Sequence, residues 1–212
     1  MLEELKDLLK KNLPKRIFDI LLSGFFLLIS FPIWVLSSIA IIMESGGPVF
    51  IKQKRVGIDG KIFHILKFRS MDKEANLESP TEHIENRNCR ITKVGEFLRA
   101  TAMDELPQLL YIFIGKMSFV GPRPVHPEET VISGGKYENL FKVPDFDRRT
   151  SIKPGLTGIA QVYAKKDFPI EQKVKYDLLY LKKQSLWLDV KLILLSFWVT
   201  FRGKWESKNK KL

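Results

Sequence analysis

The stretch "ISFPIWVLSSIAIIM", residues 29–43, is the second part of an apolar run that decides the fold. The 24 residues from Ile20 to Met43 include no charged side chain. As a straight α-helix they would extend about 36 Å, whereas the hydrocarbon core of a bilayer is about 30 Å thick. The length of the run therefore allows it to cross a membrane.

Pro32 makes a simple crossing unfavourable, because proline lacks a backbone donor and clashes with the preceding turn. We predict a bend there, with the Ser30 hydroxyl bonding to a freed carbonyl. Each half is then about 18 Å long, too short to cross. Basic residues flank both ends, which places both on the cytoplasmic side: Lys10, Lys11, Lys15 and Arg16 precede the run, and Lys52, Lys54 and Arg55 follow it. These features predict a re-entrant helix hairpin.

Three other interpretations of the run stay open on its residues alone. They are a transmembrane helix kinked at Pro32, a buried helix of a soluble protein, and a signal peptide. The signal peptide fits least well, because the run is too long and continues past its small-residue site at Ser38–Ala40.

The composition suits one domain with a packed core and an anionic partner. The chain has 212 residues, of which 45% are hydrophobic, and a formal net charge of +11. Nucleic acid is not expected as the partner, because the basic residues are spread along the chain and the apolar run has no place in such a protein. Cys89 is the single cysteine, so no internal disulfide can form.

The pattern after the apolar run predicts a β-hairpin. Two strand-like segments surround Asp59-Gly60, a dipeptide that favours a hairpin turn. Because side chains alternate along a strand, Lys67 and Arg69 are predicted to share one face. A strand is also predicted after the Pro154-Gly155 turn.

Helical patterns follow the hairpin and close the chain. Two short helices are predicted around a break near Thr101, an amphipathic helix over residues 168–184, and a last apolar helix carrying Trp187, Trp198 and Trp205, residues that favour membrane interfaces. The polar segment 72–90 is predicted to be a mobile lid or disordered. The fold class is therefore α+β (mixed α/β), divided into a membrane segment over 1–45 and a domain over 46–212.

The segment "MDELPQL" holds the most reactive pair of side chains. Pro107 is tolerated only in the first turn of a helix, which places Asp104 at or near the N-cap with Glu105 beside it. Such a pair could hold a divalent cation, supply a nucleophile that forms an acyl phosphate, or simply cap the helix.

Basic residues surround this pair in the sequence, and they suit phosphate binding. They are Lys67 and Arg69 on one predicted strand face, Arg99 shortly before the acids, and Arg123 between two prolines. The segment "KPGLTG", with its two glycines, would let the backbone approach a ligand closely.

Taken together, these motifs resemble the monotopic polyprenyl-phosphate phosphoglycosyl transferases, the bacterial sugar transferases. The resemblance runs from about Lys15 to Phe201, and the motifs agree in order and spacing. They are "KRIFDI", "GGPVFIKQKRVGIDGKIFHILKFRSM", "RITKVGEFLRATAMDELPQLL", "GKMSFVGPRP" and "KPGLTGIAQV".

The resemblance implies an enzyme that moves a phosphosugar from a UDP-sugar to undecaprenyl phosphate, with Mg²⁺ as cofactor and UMP as leaving group. It also implies a covalent aspartyl intermediate and a catalytic domain on the cytoplasmic face of the bacterial inner membrane. Membrane lipids are the expected surroundings. The sugar, the final glycan and homo-oligomerisation are left open.

The resemblance also assigns roles to individual residues. Asp104 is the expected nucleophile and metal ligand, and Glu105 assists it. Lys67, Arg99 and Arg123 are expected to line the phosphate site. Lys165 stands where the family commonly has an arginine, Asp177 matches an acid on a late helix, and Phe31-Pro32 stands where the family often has Ser-Pro.

Two competing functions are weighed against this one. A membrane-anchored binder of anionic lipid or nucleic acid would need only the charge, and an inactive scaffold in a polysaccharide assembly would not need the acid pair.

Overall fold

The computed structural model describes residues 2–72, 91–128, 130–133, 136–165 and 168–201, in an arrangement of helices around small sheets. The helices are α1 (Leu2–Ser45), α2 (Lys93–Ala100), α3 (Gln108–Phe113), α4 (Phe146–Thr150), α5 (Ile159–Tyr163), α6 (Ile170–Lys183) and α7 (Leu186–Phe201). The strands are β1 (Phe50–Val56), β2 (Ile62–Phe68), β3 (Ser118–Val120), β4 (Thr130–Ser133), β5 (Lys136–Asn139) and β6 (Gly155–Thr157). The antiparallel pairs are β1–β2 and β4–β5, and β3 pairs with β6 in parallel. The predicted mixture of helix and sheet agrees with this arrangement.

Helix α1 is continuous and passes through both Pro14 and Pro32. The predicted hairpin of two separate helices is therefore not seen, and the bend at Pro32 stays a prediction. Near the proline, the Trp34 indole donates to Ser30 Oγ at 3.2 Å, and Ser38 Oγ donates to the Trp34 carbonyl at 2.7 Å. Within the part of the chain that the structure describes, Leu13–Ser45 is the one stretch whose length and mean hydropathy, 2.4, would suit a membrane span.

Both ends of the apolar helix contact the same domain. At the start, the Arg16 guanidinium donates to the carbonyls of Ile112 and Phe113, each at 2.7 Å. At the end, the Glu44 carboxylate accepts from the backbone amides of Lys93 and Val94, at 2.7 and 2.9 Å. Glu44 thus caps the N-terminus of α2, where orphan amides and the helix dipole favour an acid.

A buried polar network holds the beginning of α1 against the domain. Lys15 Nζ lies 2.6 Å from Asp189 Oδ2 and 3.1 Å from the Tyr180 hydroxyl. The Tyr180 hydroxyl donates to the other oxygen of Asp189 at 2.6 Å. Asp19 is 2% exposed and accepts from the Phe119 amide at 3.2 Å. The motif "KRIFDI" therefore joins α1 to β3, α6 and α7.

The outward face of α1 is apolar and exposed, as are parts of the neighbouring helices. The most exposed apolar side chains of α1 are Leu21, Leu28, Phe31, Leu36 and Met43, and α7 adds Trp187, Leu194, Phe197 and Trp198. An apolar surface of this extent is typical of a membrane or protein contact. Trp205 lies outside the described residues.

The predicted β-hairpin is confirmed. Strands β1 and β2 pair antiparallel, with Ile51 opposite Lys67 and Arg55 opposite Phe63. Asp59 and Gly60 have φ angles of 53° and 72°, the left-handed conformation that this dipeptide adopts readily.

Of the other predicted elements, the break at Thr101, the helix of residues 168–184 and the closing apolar helix are confirmed by α2, α6 and α7. The strand predicted after Pro154-Gly155 is wrong beyond Thr157, because the run "IAQVY" forms α5. The strand ends early because its partner, β3, is only three residues long. The loop predicted over 72–90 lies, apart from Asp72, outside the described residues.

The main core lies between the sheets and the helices α1, α3, α6 and α7. Its buried members include Ile65, Leu109, Ile112, Met117, Phe119, Val120, Ile159, Tyr180 and Leu192. A smaller cluster of Ile41, Phe68 and Leu98 packs the end of α1 on β2 and α2. The two clusters meet at Leu106, directly beside the acid pair.

Gly95→Ala is expected to destabilise the protein, although alanine in a helix is normally about 1 kcal/mol more favourable than glycine. A Cβ on Gly95 would lie 2.0 Å from the Ser70 carbonyl oxygen, so α2 would have to move away from the end of β2. Overpacking of this kind costs about 1–3 kcal/mol. The measurement is thermal unfolding in detergent. Gly24→Ala is the control, because its Cβ would make an ordinary contact with Phe113 at 3.4 Å. Equal melting temperatures for both variants would contradict the prediction.

Candidate active site

The acid pair lies in a 3₁₀ turn, Met103–Glu105, between α2 and α3. Ala102 before it has φ 56°, a strained conformation for a residue with a side chain. Pro107, not Asp104, occupies the N-cap position of α3, directly before the first turn of that helix. Asp104, predicted at or near this N-cap, lies three residues before it, because the extra turn places both carboxylates beside β2.

Lys67 on β2 joins the two carboxylates. Its Nζ lies 2.5 Å from Glu105 Oε1 and 3.6 Å from Asp104 Oδ2. All three side chains are 13–15% exposed, so their charges interact in a poorly solvated environment. Lys67 points toward the carboxylates because its side chain lies on the same face of β2 as the core residue Ile65.

Arg123 closes the other side of the pair. Its Nη2 lies 3.3 Å from Glu105 Oε1, and its side chain is 48% exposed. Glu105 thus contacts two cations, whereas the contact between Asp104 and Lys67 is about 1 Å longer than that between Glu105 and Lys67. Arg123, the more exposed of the two cations, is the one that an incoming anion can reach most easily.

The two carboxyl groups differ in their acidity. Burial raises the pKa of Asp104, against the opposing effect of Lys67, and the neighbouring Glu105 charge adds to the rise. Burial also acts to raise the pKa of Glu105, but Lys67 and Arg123 outweigh it and lower that pKa to about 2. Glu105 is therefore a fixed anion, while Asp104 is the more basic carboxylate of the pair.

A small open cleft lies beside this arrangement and includes residues that were not predicted to belong to the site. It is lined by Arg55, Ile65, Lys67, Glu105, Gln108, Arg123, Pro124, Gly155 and Leu156. Arg55 could have been found by strand alternation, since its partner Phe63 lies on the same face of β2 as Lys67. No comparable sequence signal pointed to Gln108.

Arg99 joins the site, but Arg69 does not. Arg99, in the last turn of α2, lowers the pKa of Asp104 by its charge, after burial, Lys67 and Glu105 in order of importance. Arg69 is 1% exposed, and its Nη2 bonds to the Ser45 carbonyl and hydroxyl at 3.1 and 2.6 Å and also to the Gly46 carbonyl. The prediction that Arg69 shares the phosphate site with Lys67 is wrong, because β2 ends at Phe68 and the next side chain turns to the end of α1.

Lys165 and Asp177 also lie apart from the carboxylates. The Lys165 amine lies over the Phe168 ring, 6.0 Å from its centroid, and is not among the described residues that line the cleft. Asp177 is 2% exposed and bonds to Arg149 at 2.7 Å. Arg149, which no sequence pattern indicated, also donates to the Arg123 carbonyl at 2.7 Å.

The glycines of "KPGLTG" serve a backbone contact within the protein. The Gly155 amide donates to the Pro122 carbonyl at 2.9 Å, and a Cβ on Gly155 would lie 2.1 Å from the Gly121 nitrogen. The close approach predicted here is thus made to the "GPRP" segment, and it holds Arg123 beside the cleft.

Comparison with known proteins identifies the family of this chain. A family model described as bacterial sugar transferase matches residues 10–203. The UDP-glucose:undecaprenyl-phosphate glucose-1-phosphate transferases of Klebsiella pneumoniae and Escherichia coli (strain K12) are 38% and 37% identical over 90% and 91% of this chain. The chain spans only 40% and 41% of the length of those two proteins.

A relative of similar length is named for exopolysaccharide production. The exopolysaccharide production protein PSS of Rhizobium leguminosarum bv. phaseoli is 37% identical, over 84% of this chain and 90% of that protein. The match of the family model covers nearly the whole sequence, including every motif quoted above. This chain belongs to the bacterial sugar transferase family.

Proposed function

We propose that this protein is a phosphoglycosyl transferase that moves a phosphosugar from a UDP-sugar to undecaprenyl phosphate. The proposal rests on one observation above all: two adjacent carboxylates of opposite pKa shift share Lys67, and one of them, Glu105, lines a cleft together with the cations Lys67, Arg55 and Arg123. The names of the relatives indicate the same donor and acceptor classes.

Asp104 is the group that attacks. One of its oxygens forms a bond to the sugar-bearing phosphorus, the diphosphate P–O bond breaks, and UMP leaves with that electron pair. An oxygen of undecaprenyl phosphate then attacks the same phosphorus, and the acyl–phosphate bond breaks to regenerate the carboxylate. The raised pKa supports Asp104 in this role, because a more basic carboxylate is a better nucleophile once ionised.

Glu105 holds the cations in place. Its pKa of about 2 keeps it ionised near neutral pH, so its charge holds Lys67 and Arg123 beside the cleft. With Arg99 and Arg55, these side chains would offset the negative charge of a bound diphosphate.

Mg²⁺ fits this site as a metal held largely by substrate. Among the described residues no cluster of three or more metal-ligating side chains exists. Mg²⁺ needs few protein ligands, because it is commonly bound by one or two carboxylates together with substrate phosphates and water. Asp104 is the available oxygen donor, since Glu105 is engaged by two cations. When bound, the ion would neutralise phosphate charge.

The membrane arrangement is part of the proposal. Arg16 and Glu44, at opposite ends of the apolar helix, both contact the domain that carries the cleft. A crossing helix would separate its two ends by a bilayer, so these contacts support a helix that enters and returns. The catalytic domain would lie on the cytoplasmic face of the inner membrane, where a polyprenyl phosphate can reach it.

The test is UMP release from a panel of UDP-sugars, beginning with UDP-glucose, with undecaprenyl phosphate and Mg²⁺. We expect release that requires the acceptor for turnover and stops when EDTA removes the metal. Labelled UMP should exchange into the UDP-sugar without acceptor, because a covalent intermediate makes the first half-reaction reversible. Failure to release UMP from any donor would contradict the proposal.

The acid limb of the pH profile, where the rate of UMP release falls at low pH, should lie above the pH range in which an ordinary aspartate titrates. The rate requires ionised Asp104, whose raised pKa means that activity is present above that pKa and is lost as pH falls through it. Arg99→Gln should move the limb to higher pH, because the Arg99 charge lowers the pKa of Asp104. Initial rates of UMP release between pH 4 and 8 measure the limb. A shift to lower pH in the variant would be the contrary result.

A further inference from the structure

The carbonyl side of the "GPRP" segment is anchored by a buried arginine. Arg149 in α4 donates from Nε to Asp177 Oδ2 at 2.7 Å and from Nη2 to the Arg123 carbonyl at 2.7 Å. Arg149 and Asp177 have side chains only 4% and 2% exposed. The guanidinium also lies over the Phe146 ring, 5.5 Å from its centroid.

This contact limits the freedom of Arg123. Pro122 and Pro124 restrict the backbone on both sides, because a proline fixes its own φ and disfavours the helical region for the residue before it. The bond from Arg149 then holds the carbonyl of Arg123 itself. The exposed guanidinium of Arg123 therefore extends from a backbone that is fixed on its buried side.

The geometry of Arg149 suits this task better than that of a lysine would. A planar guanidinium can donate to two acceptors from one rigid group, here a carboxylate and a backbone carbonyl. Asp177 offsets the buried charge, without which the arginine would be strongly destabilising.

We propose that Arg149 is a positioning residue that acts through Arg123, and that Asp177 serves the site by holding Arg149. This inference rests on the proposed transferase function, in which Arg123 contacts the phosphate of the donor. It assigns Asp177, on α6, to the support of the cleft through Arg149 and not to contact with substrate.

The experiment uses Arg149→Lys in the 212-residue chain. Lysine keeps the charge beside Asp177 and lacks the fork that also reaches the Arg123 carbonyl. We expect faster amide hydrogen exchange in a peptide covering residues 119–126, with little change elsewhere. We also expect kcat/KM for the UDP-sugar to fall roughly 10- to 100-fold, as for other misplaced binding groups. Arg148→Lys, at the exposed neighbour, is the control for both measurements.

A double-mutant cycle separates positioning from a general structural role. In an Arg123→Ala background, Arg149→Lys should lower kcat/KM for the UDP-sugar by less than about twofold, because its effect passes through the Arg123 side chain, which is missing there. An equal fall in kcat/KM in both backgrounds, or an unchanged rate of amide hydrogen exchange in residues 119–126, would overturn the proposal. If Arg149→Lys does not fold, the apolar pair Arg149→Met with Asp177→Leu replaces it in both measurements.

The two proposals fail in different ways. If the wild type releases no UMP, the transferase proposal fails, and hydrogen exchange still decides whether Arg149 anchors the segment. If the wild type is active and the cycle is additive, the transferase stands and the positioning role of Arg149 is rejected.

Discussion

Asp104→Asn is expected to lower UMP release by on the order of 10⁴-fold or more, the scale seen when a covalent nucleophile is removed. The asparagine amide has nearly the same shape but is a poor nucleophile, so no acyl phosphate can form. The fold should be retained, because Asp104 is in a partly buried site that raises its pKa and so disfavours its charge. The measurements are UMP release with acceptor and UMP exchange without it.

The control for Asp104→Asn is Glu105→Gln, which removes the neighbouring charge and leaves the nucleophile. It should reduce turnover by loosening Lys67 and Arg123, yet still allow measurable exchange of UMP into the donor. Full UMP release by Asp104→Asn would reject this residue as the nucleophile. If anionic lipid binding also persisted unchanged and no variant released UMP, a charge-dependent membrane binder would be favoured instead.

Asp177→Ala is expected to produce the largest loss of stability. It leaves the buried Arg149 charge without its carboxylate, and breaking a buried pair in this way costs about 3–5 kcal/mol. For a chain of this size that corresponds to a fall in Tm of roughly 10 °C. Thermal unfolding in detergent, followed by circular dichroism, measures the change.

Arg148→Ala is the matched control for this loss. It removes the pair with Asp145 one residue away, in which the side chains are 64% and 45% exposed. Exposed pairs contribute about 0–1 kcal/mol, so Tm should hardly change. Replacing both Asp177 and Arg149 by apolar residues should recover part of the lost stability, because no unpaired charge remains. A small effect of Asp177→Ala, similar to that of the control, would contradict the buried-pair explanation.

Local rules predicted the β-hairpin, the interruption near Thr101 and the last two helices. Each depends on residues close in sequence: a left-handed Asp59-Gly60 turn, a proline that suits the start of a helix, and regular apolar spacing. The same rules failed at Arg69, where strand alternation was extended one residue past the end of β2. They also failed for "IAQVY", which has the composition of a strand but forms α5. The strand before it, β6, pairs with β3, which is only three residues long.

The candidate site was predicted in its chemistry and only partly in its membership. The motif set identified Asp104, Glu105, Lys67, Arg99 and Arg123. The structure places Glu105, Lys67 and Arg123 on one cleft, with Asp104 against Lys67 and with Arg99 close enough to lower the pKa of Asp104. Arg149 was not predicted, because its partners Arg123 and Asp177 are 26 and 28 residues away in opposite directions. A contact of that kind depends on how α4 and α6 pack, and no local pattern encodes it.

By itself, then, the sequence determined the apolar helix, the short helices and the hairpin, and the set of acidic and basic residues that belongs to a bacterial sugar transferase. These follow from periodicity, turn chemistry and motif order, which are properties of neighbouring residues. The tertiary structure alone decided which carboxylate is more basic and which cations face it. Acidity depends on burial and on charges a few ångströms away, and both are established only when β2, the 3₁₀ turn and the "GPRP" segment pack together.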